Sequence, residues 1–96
     1  MILAIDVGNT NIVIGVFDNK EIVESWRLST DRTKTADEYR LLLSQLLYQS
    51  HIEIDQIDGI VIACVVPPIL QRLQEMCARK FQQQEPLIVN TDLDVG

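Results

Sequence analysis

Two apolar runs, Ile2-Leu3-Ala4-Ile5 and Ile12-Val13-Ile14, are separated only by Asp6-Val7-Gly8-Asn9-Thr10-Asn11, and this spacing constrains the fold more than any other feature. Apolar runs bounded by Gly and Asn read as strands, and two strands this close in sequence become neighbours by doubling back. The reversal falls at Gly8-Asn9, a pair that tolerates the positive φ of hairpin turns. Such a turn points backbone N–H groups inward as an anion nest. The Asn9 amide and the Thr10 hydroxyl add donors that reach phosphate oxygens, while Gly8 lets a ligand approach the backbone. The same residues also suit an ordinary Gly-Asn hairpin with an Asp at its edge, because motifs this short recur by chance.

Asp6 decides what a phosphate at this turn would require. Two unit charges about 4 Å apart repel by roughly 4 kcal/mol at an effective dielectric near 20. A cation between them removes that cost, so a phosphate cradle here implies a divalent metal, Mg²⁺ held through Asp6 and through water.

The 96 residues make one domain that can bury a modest core without disulfides or structural metals. With 8 basic and 14 acidic residues the formal charge is −6, and Arg27, Arg32, Lys34 and Arg40 are scattered, so no basic face for nucleic acid is visible. The longest apolar run, Ile60 to Val66, is far short of a membrane span and ends at Pro67-Pro68. The N-terminus has no basic region and Asp6 interrupts its apolar start, which is unlike a signal peptide. Cys64 and Cys77 form no CxxC and have no nearby His, so they read as buried thiols of a reducing cytoplasm.

The expected order is strand, strand, strand, helix, strand, helix, strand. Ile2–Asp6 and Asn11–Phe17 form the first hairpin, and Asp18-Asn19-Lys20 turns the chain into a third strand, Glu21–Ser29. There Ile22, Glu24, Trp26 and Leu28 share one face and Val23, Ser25, Arg27 and Ser29 the other, an alternation expected near a sheet edge. Thr35-Ala36-Asp37-Glu38 matches a capping box, and Tyr39, Leu42, Leu43, Leu46 and Leu47 continue at helical spacing to about Gln49. His51 follows as a solvated loop residue. Ile60–Val66 lacks alternation and reads as a strand covered on both faces. Pro67 and Pro68 suit the first turn of a second helix, whose core stripe is Ile69, Leu70, Leu73, Met76, Cys77 and Phe81. Pro86–Asn90 reads as a last strand. Three antiparallel strands followed by alternating helix and strand imply an α/β mixed sheet.

Other phosphate signatures are missing. No Lys precedes Lys20, and the glycines stand only at 8, 15, 59 and 96, which excludes a Walker loop at the start and a GxGxxG fingerprint anywhere. There is no Gly-x-Ser-x-Gly elbow, and one His leaves no room for a clustered zinc site.

The chain resembles the N-terminal part of the type III pantothenate kinases, within the superfamily of sugar kinases, acetate kinase and actin. Four segments in order carry the likeness: Ile5-Asp6-Val7-Gly8-Asn9-Thr10-Asn11, Trp26-Arg27-Leu28-Ser29-Thr30, Thr35-Ala36-Asp37-Glu38-Tyr39 and Val65-Val66-Pro67. The resemblance implies a ribonuclease H-like mixed sheet, one half of an actin-like ATPase two-domain fold, with residues 1–96 as the ATP phosphate-binding domain and the second domain absent. It implies transfer of the γ-phosphate of ATP to pantothenate, giving 4′-phosphopantothenate, the first step of coenzyme A synthesis in the cytoplasm. By that likeness Asp6, Val7, Gly8, Asn9, Thr10, Asn11, Ile12 and Val13 form the ATP phosphate segment, with Asp6 near the metal. Mg²⁺ or another divalent ion, a monovalent cation (K⁺ or NH₄⁺) and a homodimer are also implied, and neither nucleic acid nor a membrane is an expected partner. The general-base Asp of the family would fall beyond Gly96, so the expected catalytic residues within the chain are none and the fragment is expected to be inactive alone. Asp92 and Asp94 match no motif for that role. Relatives usually carry serines where this chain has Ala63 and Cys64, which removes a hydroxyl contact from those positions. A non-catalytic nucleotide-binding, regulatory or assembly module of the same superfamily is the alternative.

Overall fold

A computed structural model describes residues 1–80 and 85–89. Three strands lead the chain: β1 (Ile2–Val7), β2 (Asn11–Asp18) and β3 (Glu21–Ser29). Helix α1 (Ala36–Gln49), a short 3₁₀ turn (Ile54–Gln56), β4 (Gly59–Cys64), helix α2 (Pro67–Lys80) and β5 (Leu87–Val89) follow. The strands form one sheet in the order β3-β2-β1-β4-β5. β1, β2 and β3 pair antiparallel, while β4 lies parallel to both β1 and β5. This is the expected mixed α/β sheet, with the alternating strand β3 at its edge. Phe81, Gln82-Gln83-Gln84, Asn90, Asp92 and Asp94 lie outside the described residues.

Pleating sorts the side chains. Leu3, Ile5 and Val7 of β1, Ile12, Ile14 and Val16 of β2, and Ile60 and Ile62 of β4 are buried on one face. Both helices contribute to that core, α1 through Tyr39, Leu43 and Leu47 and α2 through Ile69, Leu73, Met76 and Cys77. Leu42, Leu46 and Leu70 flank these stripes and are half-buried. On the opposite face of β4, Val61 and Ala63 are half-buried, and Ile2, Leu87 and Val89 nearby are exposed. The expectation that this strand is covered on both faces therefore holds for one face among the described residues, because α1 and α2 pack on the same side.

The caps explain the boundaries of α1. Thr35 Oγ1 accepts the Glu38 N–H at 3.2 Å and Glu38 Oε1 accepts the Thr35 N–H at 2.9 Å, the capping box expected from sequence. At the other end His51 adopts φ 58°. The His51 N–H donates to Tyr48 O at 3.1 Å and the Ile52 N–H to Leu47 O at 2.9 Å. This is a Schellman closure with His where glycine is usual, sealed by the buried pair Leu47 and Ile52. His51 is exposed, as expected, but its conformation is structural rather than incidental.

The positive-φ turn lies elsewhere than expected. Asn19 (φ 51°) and Lys20 (φ 73°) form the two-residue loop closed by the Asp18↔Glu21 pair, a type I′ geometry that matches strand twist. Neither Gly8 nor Asn9 has positive φ. Gly8 relieves crowding instead, because a Cβ there would sit a tight 3.3 Å from Asn11 O.

Candidate functional site

The turn Gly8-Asn9-Thr10 sits at the carboxyl ends of β1 and β4, where open α/β sheets place ligand crevices. It is closed by the Gly8 N–H, which donates to Asn11 O at 2.8 Å. The β2–β3 register ends at Asn11↔Ser29 and so brings Thr30 beside the turn. Thr30 then makes two bonds to it: its N–H donates to Thr10 O at 3.0 Å and its hydroxyl to Gly8 O at 2.8 Å. With those carbonyls occupied, the turn presents donors. Among the described residues, neither the Asn9 nor the Thr10 N–H is given to a backbone or side-chain acceptor. Asn11 Nδ2 reaches Thr10 Oγ1 at 3.3 Å, which ties the two polar side chains together.

The expected site residues divide into two groups. Asp6, Asn9, Thr10 and Asn11 are exposed, whereas the Val7 and Ile12 side chains are buried and anchor the turn to the core. The half-buried Val13 lies opposite Asp6 in the ladder, with Ala63 on the other side and Arg27 across from Val13. Asp6 thus stands on the face away from the helices, one residue before the buried Val7. No group of three or more His, Cys, Asp or Glu gathers around it or elsewhere among the described residues. A single carboxylate suits Mg²⁺, which keeps several waters and takes its other ligands from substrate phosphates; it does not make a zinc cage.

The start of α2 lies close by, since the Val65 N–H donates to Val7 O at 3.1 Å. It offers little to an anion. Pro67 and Pro68 have no N–H, and the Ile69 and Leu70 N–H groups both go to Val66 O, at 3.0 and 3.2 Å. Among the described residues, the backbone donors without an acceptor at this end of the sheet therefore lie in the turn and not at the helix terminus. Cys64 forms a small loop of its own: Sγ lies 3.2 Å from Val66 O and accepts the Val66 N–H at 3.4 Å. Burial pushes its thiol above the ordinary value, hydrogen bonding to Val66 and Leu70 opposes that, and the nearby Asp6 carboxylate adds a smaller upward push.

Residues 2–96 match the family model of the type III pantothenate kinases. The chain belongs to this family. Over all 96 residues it is 44% identical to the type III pantothenate kinase of Exiguobacterium sibiricum, covering 38% of that protein. It is 45% identical to the type III pantothenate kinase of Exiguobacterium sp. AT1b, again over 96 residues, covering 37%. The chain thus spans little more than a third of the length of these relatives.

In this pantothenate kinase family chain the sheet gathers residues that sequence inspection leaves apart. Arg32, read as one of several scattered basic residues, donates through Nη2 to Asn9 Oδ1 at 3.2 Å. Arg72 of α2 donates to the carbonyls of Arg32 and of Lys34, the latter at 3.3 Å, and so pins the β3–α1 loop. Within that loop Asp31 Oδ1 accepts from the Thr33 hydroxyl at 2.6 Å and the Thr33 N–H at 2.9 Å, which holds its carboxyl below the usual value. Thr30 was legible only as part of a motif; the strand register was the signal for its contact with Thr10.

Proposed function

We propose that this chain supplies the ATP phosphate-binding half of an enzyme that transfers the γ-phosphoryl group of ATP to pantothenate, giving 4′-phosphopantothenate. The observation that carries the reading is the Gly8-Asn9-Thr10 turn, with its Gly8 and Thr10 carbonyls tied to Thr30 and its Asn9 and Thr10 N–H groups left for an anion, in a chain of the type III pantothenate kinase family. Phosphoryl transfer depends mainly on positioning and charge neutralisation, which an anchored turn of donors provides. In this reading the Asn9 and Thr10 N–H groups and side chains hold phosphate oxygens, while Val7 and Ile12 fix the turn from the core. Asp6 holds Mg²⁺ through its carboxylate and water, and the bound ion would neutralise phosphate charge. The same proposal assigns the general base to a part of the protein outside the described residues, places pantothenate in a cleft that this domain shares, and includes a monovalent cation (K⁺ or NH₄⁺) in the whole enzyme. A cytoplasmic homodimer is the assembly it implies. Among the described residues no helix is long and apolar enough to cross a membrane.

The test is turnover of the whole protein carrying Asp6→Asn, which keeps the shape of the side chain and removes its charge. A loss of about 10²-fold or more in kcat is expected, the scale of removing one transition-state charge contact. Near wild-type turnover would refute the role of Asp6. ATP binding without any pantothenate phosphorylation in the wild type would favour a non-catalytic nucleotide module.

A further inference from the structure

We propose that Arg32 is a phosphate-binding residue of this site, reaching over the Gly8-Asn9-Thr10 turn from the β3–α1 loop to take the polyphosphate tail of a nucleoside triphosphate. The inference rests on the phosphate-binding reading of the turn. Its first support is position: Arg32 Nη2 lies 3.2 Å from Asn9 Oδ1, so the guanidinium stands at the edge of the donors already described. That contact also orients Asn9. Only the amide oxygen can accept from arginine, which leaves Nδ2 as a donor facing away from Arg32.

The second support is charge. In a chain of net charge −6, Arg32 forms no ion pair with an Asp or Glu among the described residues. Adjacent Asp31 directs Oδ1 to Thr33. A guanidinium has five N–H donors in a planar fork that matches two phosphate oxygens, and the Asn9 contact uses one of them.

The third support is the way the loop is held. Thr30 ties its start to Gly8 and Thr10, Tyr39 Oη donates to Asp31 O at 3.1 Å, and Arg72 donates to the carbonyls on either side of Thr33. An exposed arginine on an otherwise free loop would lose much conformational entropy on binding. Here the backbone beneath it is fixed in advance, and the loss is confined to the side chain. Arg72 is a positioning residue in this arrangement, because it touches the Arg32 backbone and not the ligand.

The experiment measures Mg-ATP and adenosine dissociation constants for the whole protein as wild type, Arg32→Ala, Arg32→Lys, Arg72→Ala and the Arg32→Ala/Arg72→Ala pair. Arg32→Ala is expected to weaken ATP binding about ten- to hundred-fold, the usual worth of a charge-assisted contact, and to leave adenosine binding unchanged. Arg32→Lys recovers part of the loss, since it keeps the charge without the fork. Arg72→Ala weakens ATP binding when Arg32 is present and adds nothing when it is absent. Unchanged ATP binding in Arg32→Ala overturns the proposal while the turn reading stands, and equal loss for ATP and adenosine overturns it by exposing a purely structural role. A wild type that binds Mg-ATP no more tightly than adenosine overturns the turn reading and this proposal together.

Discussion

Replacing Thr30 by valine nearly preserves the side chain's shape and deletes one donor, the hydroxyl that lies 2.8 Å from Gly8 O. A hydrogen bond of this kind contributes about 0.5–1.5 kcal/mol net, and leaving a buried acceptor unpaired raises the cost. Gly8 and Thr30 are only half-buried, so water can partly replace the lost donor and the cost belongs near 1 kcal/mol. For a protein of the relatives' length that is a drop in Tm of roughly 2–4 °C. The larger effect should fall on the ligand. Without the hydroxyl Thr30 holds the turn only through its N–H bond to Thr10 O, and the turn's donors are held less firmly where phosphate would sit. Mg-ATP affinity measured by calorimetric titration should fall several-fold while adenosine affinity is maintained. A variant that melts lower yet binds ATP like the wild type would refute the argument that Thr30 shapes the turn.

Two further outcomes follow from the fold. His51→Gly should raise stability by about 1 kcal/mol in urea denaturation, because the left-handed conformation that closes α1 is strained for His and free for Gly; an unchanged or lowered midpoint would contradict the Schellman assignment. Cys77, fully buried in α2, has its thiol pushed up to about 11 by burial from an ordinary 9.0. A raised folded-state value favours the neutral thiol, so its contribution is complete below pH about 9 and is lost as pH rises through about 11. Urea midpoints recorded across that window should decline, and a Cys77→Val variant should flatten the decline.

Much of the architecture was legible because local signals agreed with the global fold. The capping box at Thr35 and Glu38, the prolines opening α2 and the alternation that marked β3 as an edge strand are short-range features, and each is found in the structure. The handedness of the turns was not legible in the same way. Gly8-Asn9 and Asn19-Lys20 are both permissive pairs, and only the register decides between them: Asp18↔Glu21 leaves a two-residue loop that demands positive φ, whereas the first turn is shaped by Thr30 from the third strand. The basic residues looked scattered for a related reason. Arg32 and Arg72 stand on different elements, and their meeting at one loop depends on how α2 packs across the sheet. The half-buried flank of β4 was not legible either, because a continuous apolar run does not say which of its faces a helix will cover.

In the proposed function, ATP phosphates bind at Gly8-Asn9-Thr10 with a metal on the Asp6 side. A crystal structure of the whole protein with Mg²⁺, pantothenate and a non-hydrolysable ATP analogue tests it most directly. Phosphate oxygens are expected within hydrogen-bond distance of the Asn9 and Thr10 N–H groups, with the ion linked to Asp6 directly or through water. A nucleotide bound elsewhere, with its phosphates remote from this turn, would contradict it.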